Sequence, residues 1–89
     1  MIERELEIIN KLGLHARASA KLVNTAGAFA SHIEIEFANQ KADAKSIMQV
    51  MMLAASIGSK ITVRVNGKDE SEAMDAITTL INNYFDEEG

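Results

Sequence analysis

Cysteine is absent, which excludes disulfide staples and thiolate metal sites. Tryptophan is absent and there is one tyrosine, so no platform exists on which bases could stack. Lysine and arginine total 9 against 13 aspartates and glutamates, for a net charge of −4. The cations are scattered, whereas nucleic-acid binding driven by counterion release needs a basic stripe. No apolar run approaches the roughly 20 residues that cross a bilayer, and Met1-Ile2-Glu3-Arg4-Glu5 lacks a signal-peptide pattern. Repeats, low-complexity tracts and linkers are missing as well. The expectation is a cytoplasmic protein with one domain over residues 1–89, partnering neither membrane nor nucleic acid.

What is present is a clear alternation of patterns. Ile2 to Ile9 reads as a strand, with Ile2, Leu6 and Ile8 sharing a face with Arg4, and Glu3, Glu5 and Glu7 opposite. That glutamate row is too spread along one strand to converge on a metal ion, so no metal is expected. Leu14, Ala18, Leu22, Ala26 and Phe29 recur every three or four residues and form the apolar stripe of a first helix, leaving Arg17, Lys21 and Asn24 for a partner. Gly27 should end that helix in a left-handed conformation. His32 to Phe37 alternates again, with His32 outward and without a role, and the turn Ala38-Asn39-Gln40 leads into a short antiparallel strand over Lys41 to Ala44.

Ser46 is placed as the N-cap of a helix running from Ile47 to Ala55 and ended by Gly58. This helix is apolar nearly all round, which implies that some of Ile47, Met48 and Met51 are exposed; flexible thioethers suit a surface that docks several partners. Lys60 to Asn66 is the last strand. Asp69 with Glu72 resembles a capping box, opening a helix whose stripe is Ala73, Met74, Ile77, Leu80, Ile81 and Tyr84. The acidic end, Asp86-Glu87-Glu88-Gly89, is expected to fray. The order is β-α-β-β-α-β-α, an α+β fold with helices on one face of an antiparallel sheet and water on the other.

Gly13-Leu14-His15-Ala16-Arg17 lies between the first strand and the first helix, which puts His15 at the helix N-cap. An imidazole there meets N–H groups that no helical carbonyl satisfies, in the positive end of the helix dipole, and both favour the neutral, nucleophilic ring. An oxyanion delivered to that ring would meet the same N–H groups and the Arg17 guanidinium. The parts suit transient phosphoryl attachment to a histidine.

Gly-Leu-His-Ala-Arg after a first strand resembles the active-site motif of HPr, the histidine-containing phosphocarrier family of the phosphotransferase system, and Ala44-Lys45-Ser46-Ile47-Met48 and the closing helix extend the likeness along the chain. The resemblance implies an open-faced β-sandwich with strand order 1-4-2-3. It implies that His15 accepts a phosphoryl group at Nδ1 from phosphorylated Enzyme I, charged by phosphoenolpyruvate, and passes it to a histidine of an EIIA-type domain. Arg17 would neutralise phosphate charge, the amides of Ala16 and Arg17 would hold its oxygens, and Ile47, Met48 and Met51 would form the docking surface. Ser46 falls on the family's regulatory serine, target of a serine kinase/phosphorylase. Such a protein is a transfer intermediate and not a turnover enzyme, and needs no cofactor.

Ala18 stands where the family commonly has proline, and Gln49 where glycine or lysine is frequent. Asn10-Lys11-Leu12-Gly13, Ala-Arg after the histidine and the acidic end after Phe85 are shared with the nitrogen-related NPr branch. Sugar transport and carbon or nitrogen regulation are both open on these residues, with the same chemistry at His15. A non-catalytic regulatory binding module, acting through the faces of the first and second helices with His15 merely a cap, is the alternative. A general-base enzyme is disfavoured because no carboxylate is evident to orient the ring.

Overall fold

The computed structural model describes residues 1–87. Its elements are β1 (Ile2–Glu7), α1 (Ala16–Gly27), β2 (His32–Phe37), β3 (Gln40–Asp43), α2 (Ile47–Met52), β4 (Lys60–Asn66) and α3 (Glu70–Asn82), followed by a short turn, Tyr84–Asp86. The four strands form one antiparallel sheet in the order β1-β4-β2-β3, and the three helices cover one face. The expected open-faced sandwich is the observed one.

Period-two patterning decides which side each strand buries. Ile33 and Ile35 of β2, Ile61, Val63 and Val65 of β4 and Ala42 of β3 point under the helices and are buried. They meet Leu14, Ala18, Leu22 and Ala26 of the α1 segment, Val50 and Leu53 at α2, and Ala73, Met74, Ile77 and Ile81 of α3. Each large aliphatic side chain removed from water in this way contributes about 1.5–3 kcal/mol. Alanines on α1 let its axis lie close to the sheet. The other face carries Glu3, Glu34, Glu36 and Arg64, with Arg64 directly opposite Glu3 on one side and Glu34 on the other.

Several local expectations are corrected. Strand β1 stops at Glu7, although Ile8 is buried beyond it. Helix α1 ends at Gly27, but the residue after it, Ala28, is right-handed (φ −75°), so glycine's left-handed freedom is not what ends the helix. Helix α2 stops at Met52. The left-handed residue that follows it is Ala54 (φ 54°), four positions before Gly58. Asp69 precedes α3 but makes no side-chain cap. Its carboxylate instead accepts from the Ala30 amide (2.8 Å) and from the Ser31 amide (2.9 Å) and hydroxyl. Gly67 lies against the same serine: a Cβ there would come within 2.7 Å of Ser31 Cα.

The acidic end does not fray as a whole. Phe85 is fully buried and Lys21 Nζ donates to its carbonyl at 2.7 Å, which holds the turn Tyr84–Asp86 against α1. Lys21 is therefore engaged and not left for a partner. Glu88 and Gly89 lie outside the described residues.

Candidate functional site

The connection from β1 to α1 is built from inside outward. Asn10 is fully buried, and its side-chain amide donates to the Gly13 carbonyl at 2.9 Å, while the Gly13 amide donates back to the Asn10 carbonyl at 3.2 Å. Gly13 adopts φ 64°, and a Cβ there would sit 2.5 Å from the Ala55 carbonyl oxygen, so only glycine fits. The Leu14 amide then donates to that oxygen at 2.9 Å, tying the loop to the segment after α2.

This loop delivers His15 to the N-cap of α1 in an extended conformation (φ −74°, ψ 179°). Its carbonyl accepts from the Ser19 amide at 2.8 Å and its Nδ1 accepts from the Arg17 amide at 3.3 Å. A ring nitrogen that accepts carries a lone pair, so the proton of the neutral ring belongs on Nε2. There the structure places a partner that inspection of the sequence missed: Glu87 Oε2, 2.5 Å away, 72 residues along the chain. The other carboxylate oxygen of Glu87 accepts from Asn10 Nδ2 at 3.2 Å. Burial opposes the charge on Glu87, but the hydrogen bonds from His15 and Asn10 outweigh it, and the carboxyl lies below the ordinary glutamate range. The expectation that no carboxylate orients the ring is thus overturned. A hint existed in Phe85, an aromatic set in an otherwise acidic tail.

The His15 side chain keeps 26% of its surface accessible, and Ala16 and Arg17 are exposed. The imidazole opens into a groove lined by Lys11, Leu12, Arg17, Lys21, Asp86 and Glu87, three cationic and two acidic residues among them. The Arg17 guanidinium makes no hydrogen bond to any described residue.

Ser46 caps α2, its hydroxyl accepting from the Gln49 amide at 3.4 Å. Of the expected apolar surface, Ile47 is 39%, Met48 64% and Met51 37% exposed. Met52, Leu12 and Ile57 are also exposed, and periodicity did not single them out. Helices α1 and α2 are packed neighbours: the segment after α2 meets the His15 loop through Leu14 and Ala55, whereas Lys45, beside Ser46, donates to the Phe29 carbonyl just after α1.

The family model described as "PTS HPr component phosphorylation site" matches residues 2–83. The phosphocarrier protein HPr of Cupriavidus necator is 58% identical over 87 residues, 98% of each chain. The phosphocarrier protein NPr of Shewanella violacea is 43% identical over 97% of this chain and 94% of its own. The crystal structure of HPr from Thermoanaerobacter tengcongensis superposes with a TM-score of 0.96 at 46% identity, covering all of both chains. A matching fold, a matching family model over nearly the whole chain and relatives at this identity lead to one conclusion: the chain belongs to the HPr family of phosphocarrier proteins of the phosphotransferase system.

Proposed function

We propose that His15 accepts a phosphoryl group on Nδ1 from phosphorylated Enzyme I, which draws it from phosphoenolpyruvate, and passes it to a histidine of an EIIA-type domain in the cytoplasm. The observation that carries this reading is the placement of Nδ1: a lone pair at the first turn of α1, beside the Arg17 amide and in reach of solvent. In the unloaded protein that amide is taken up by the ring itself. Once Nδ1 bonds phosphorus its lone pair is gone, and the Arg17 amide turns to a phosphoryl oxygen with that of Ala16. The dipole of α1 and the Arg17 guanidinium favour the same negative charge.

A carrier must release what it binds. Few fixed donors and an open groove stabilise the phosphoryl group in transit without trapping it, as a transfer intermediate requires and a turnover enzyme does not. The exposed Ile47, Met48 and Met51 supply an apolar docking surface for donor and acceptor alike. Phosphorylation of Ser46 by a serine kinase/phosphorylase would put a dianion at the start of α2, which the fold tolerates and an acidic partner surface does not.

Incubation with Enzyme I and phosphoenolpyruvate should label the protein with an acid-labile, alkali-stable phosphate, and His15→Ala should abolish the label. A chain that binds Enzyme I but never takes up phosphate would instead be a regulatory binding module.

A further inference from the structure

We infer that Glu87 is a positioning residue for transfer at His15: its carboxylate holds the Nε2 proton, so that Nδ1 presents its lone pair and the positive charge the ring acquires is balanced from the far side. This rests on the proposed function and adds a residue to it.

The argument begins with electron counting. The Nδ1 lone pair attacks phosphorus and forms the new N–P bond. The N–P bond of the donor's phosphohistidine breaks, and its electron pair returns to the donor's nitrogen. No proton needs to leave, so the His15 ring, phosphorylated at Nδ1 and still protonated at Nε2, is cationic at the end of the step. On onward transfer the pair returns to Nδ1 and the ring is neutral again. On uptake positive charge develops on the ring in the transition state, and a carboxylate on Nε2–H stabilises it, as an aspartate does behind the histidine of a hydrolytic triad; on onward transfer the same charge is given up. The anion sits across the ring from Nδ1, away from the incoming phosphoryl group.

The geometry has the marks of a built arrangement. Oε2 is 2.5 Å from Nε2, and the Glu87 side chain is only 16% exposed. Its second oxygen is held by Asn10, which is fully buried, donates both to Glu87 and to the Gly13 carbonyl, and leaves its own Oδ1 without a partner among the described residues. An orphaned buried acceptor is a cost, and here it accompanies an amide turned toward the loop and the glutamate. Two residues back, buried Phe85 and its carbonyl's bond from Lys21 fix the approach of the tail. Among the described residues, the charged groups lining the groove beside the ring are Glu87 and Asp86 from the tail, Arg17 and Lys21 from α1, and Lys11 from the preceding loop. Of these charged groups, Glu87 is the one hydrogen-bonded to the imidazole.

The test uses the full chain with Glu87→Ala, Glu87→Gln and Glu87→Asp. The ¹⁵N shifts of the His15 ring nitrogens report which one carries the proton in the neutral form. Rapid-quench single turnovers from phosphorylated Enzyme I report the rate, and thermal melts report folding. Wild type should show Nε2–H. Glu87→Ala and Glu87→Gln should shift the ring toward a mixture of tautomers and slow transfer roughly ten- to a hundredfold, the range for loss of a hydrogen-bond partner that orients a ligating histidine. Glu87→Asp should restore part of both. An unchanged tautomer signal with an unchanged or faster rate overturns the inference, as does a slower rate that tracks only a lower melting temperature. Failure of the carrier reading would appear separately, as wild type that takes up no phosphate.

Discussion

Asp69 and Ser31 join the start of α3 to the start of β2, the carboxylate accepting from both the amide and the hydroxyl of the serine. The Ser31 hydroxyl, then the Ala30 amide, hold the Asp69 carboxyl below its ordinary value of 3.8 against the opposing effect of burial. A carboxyl whose folded value is depressed contributes stability that is complete above its unfolded value and disappears as pH falls through the folded one. Asp69→Asn keeps the shape but turns an amide toward donors, so it should melt lower than wild type near neutrality. The gap should narrow progressively below pH 3.8, as thermal melts across the acid range will show.

On the open face, Arg64 donates to Glu3 (2.7 Å), Glu34 (3.0 Å) and Glu36 (2.7 Å), spanning β1, β4 and β2. These bonds, that to Glu36 foremost, raise the Arg64 guanidinium well above its ordinary value. Arg64→Met should lower the melting temperature by leaving three carboxylates unanswered on neighbouring strands. Because their repulsion is screened by salt, added sodium chloride should stabilise the variant more than wild type. Equal salt responses would show that the glutamates do not repel appreciably.

What the sequence made legible was whatever repeats locally. Ile33 with Ile35 and Ile61 with Val63 declared their faces by alternation, and the excess of apolar residues in α2 announced exposed Met48. His15 was placed at its cap by the junction of two patterns. The strand order came from family resemblance, since antiparallel alternation alone fits several orders. Contacts between distant segments were invisible: Glu87 meets His15 across 72 positions, and no periodicity encodes that. Asp69 misled for a related reason. Its local spacing to Glu72 fits a capping box, but a serine hydroxyl and two amides 38 and 39 positions away compete for its oxygens and win. Lys21 looked free on its helix and is bound by a carbonyl 64 residues on.

Tyr84, Phe85 and Asp86 occupy left-handed conformations (φ 59°, 52° and 63°), each costing about 1–2 kcal/mol for an ordinary residue. Burial of the Phe85 ring helps to offset that strain. Phe85→Ala should lower the free energy of unfolding by about 3–5 kcal/mol, measured by urea titration. It should also release the tail, so that the Glu87 amide loses protection from hydrogen exchange. A variant that loses stability but keeps that protection would show that Lys21 and Asn10 suffice to hold the end of the chain.

Arg17 and Met48 separate charge stabilisation from docking. Both are exposed, and neither is part of the core, so Arg17→Ala and Met48→Ala should each change stability by no more than about 0.5 kcal/mol. Their kinetic signatures should differ. If, as proposed, Arg17 meets the phosphoryl group as it passes, when charge is spread over the equatorial oxygens, its loss should lower kcat for phosphorylation by Enzyme I. If, as proposed, Met48 belongs to the docking surface and meets the partner before and during transfer alike, its loss should raise KM and leave kcat near wild type, the mark of uniform binding. Steady-state transfer assays with this chain as the varied substrate distinguish the two. Should Arg17→Ala raise KM alone, the guanidinium would belong to the docking surface and the phosphoryl charge would rest on the α1 amides and dipole.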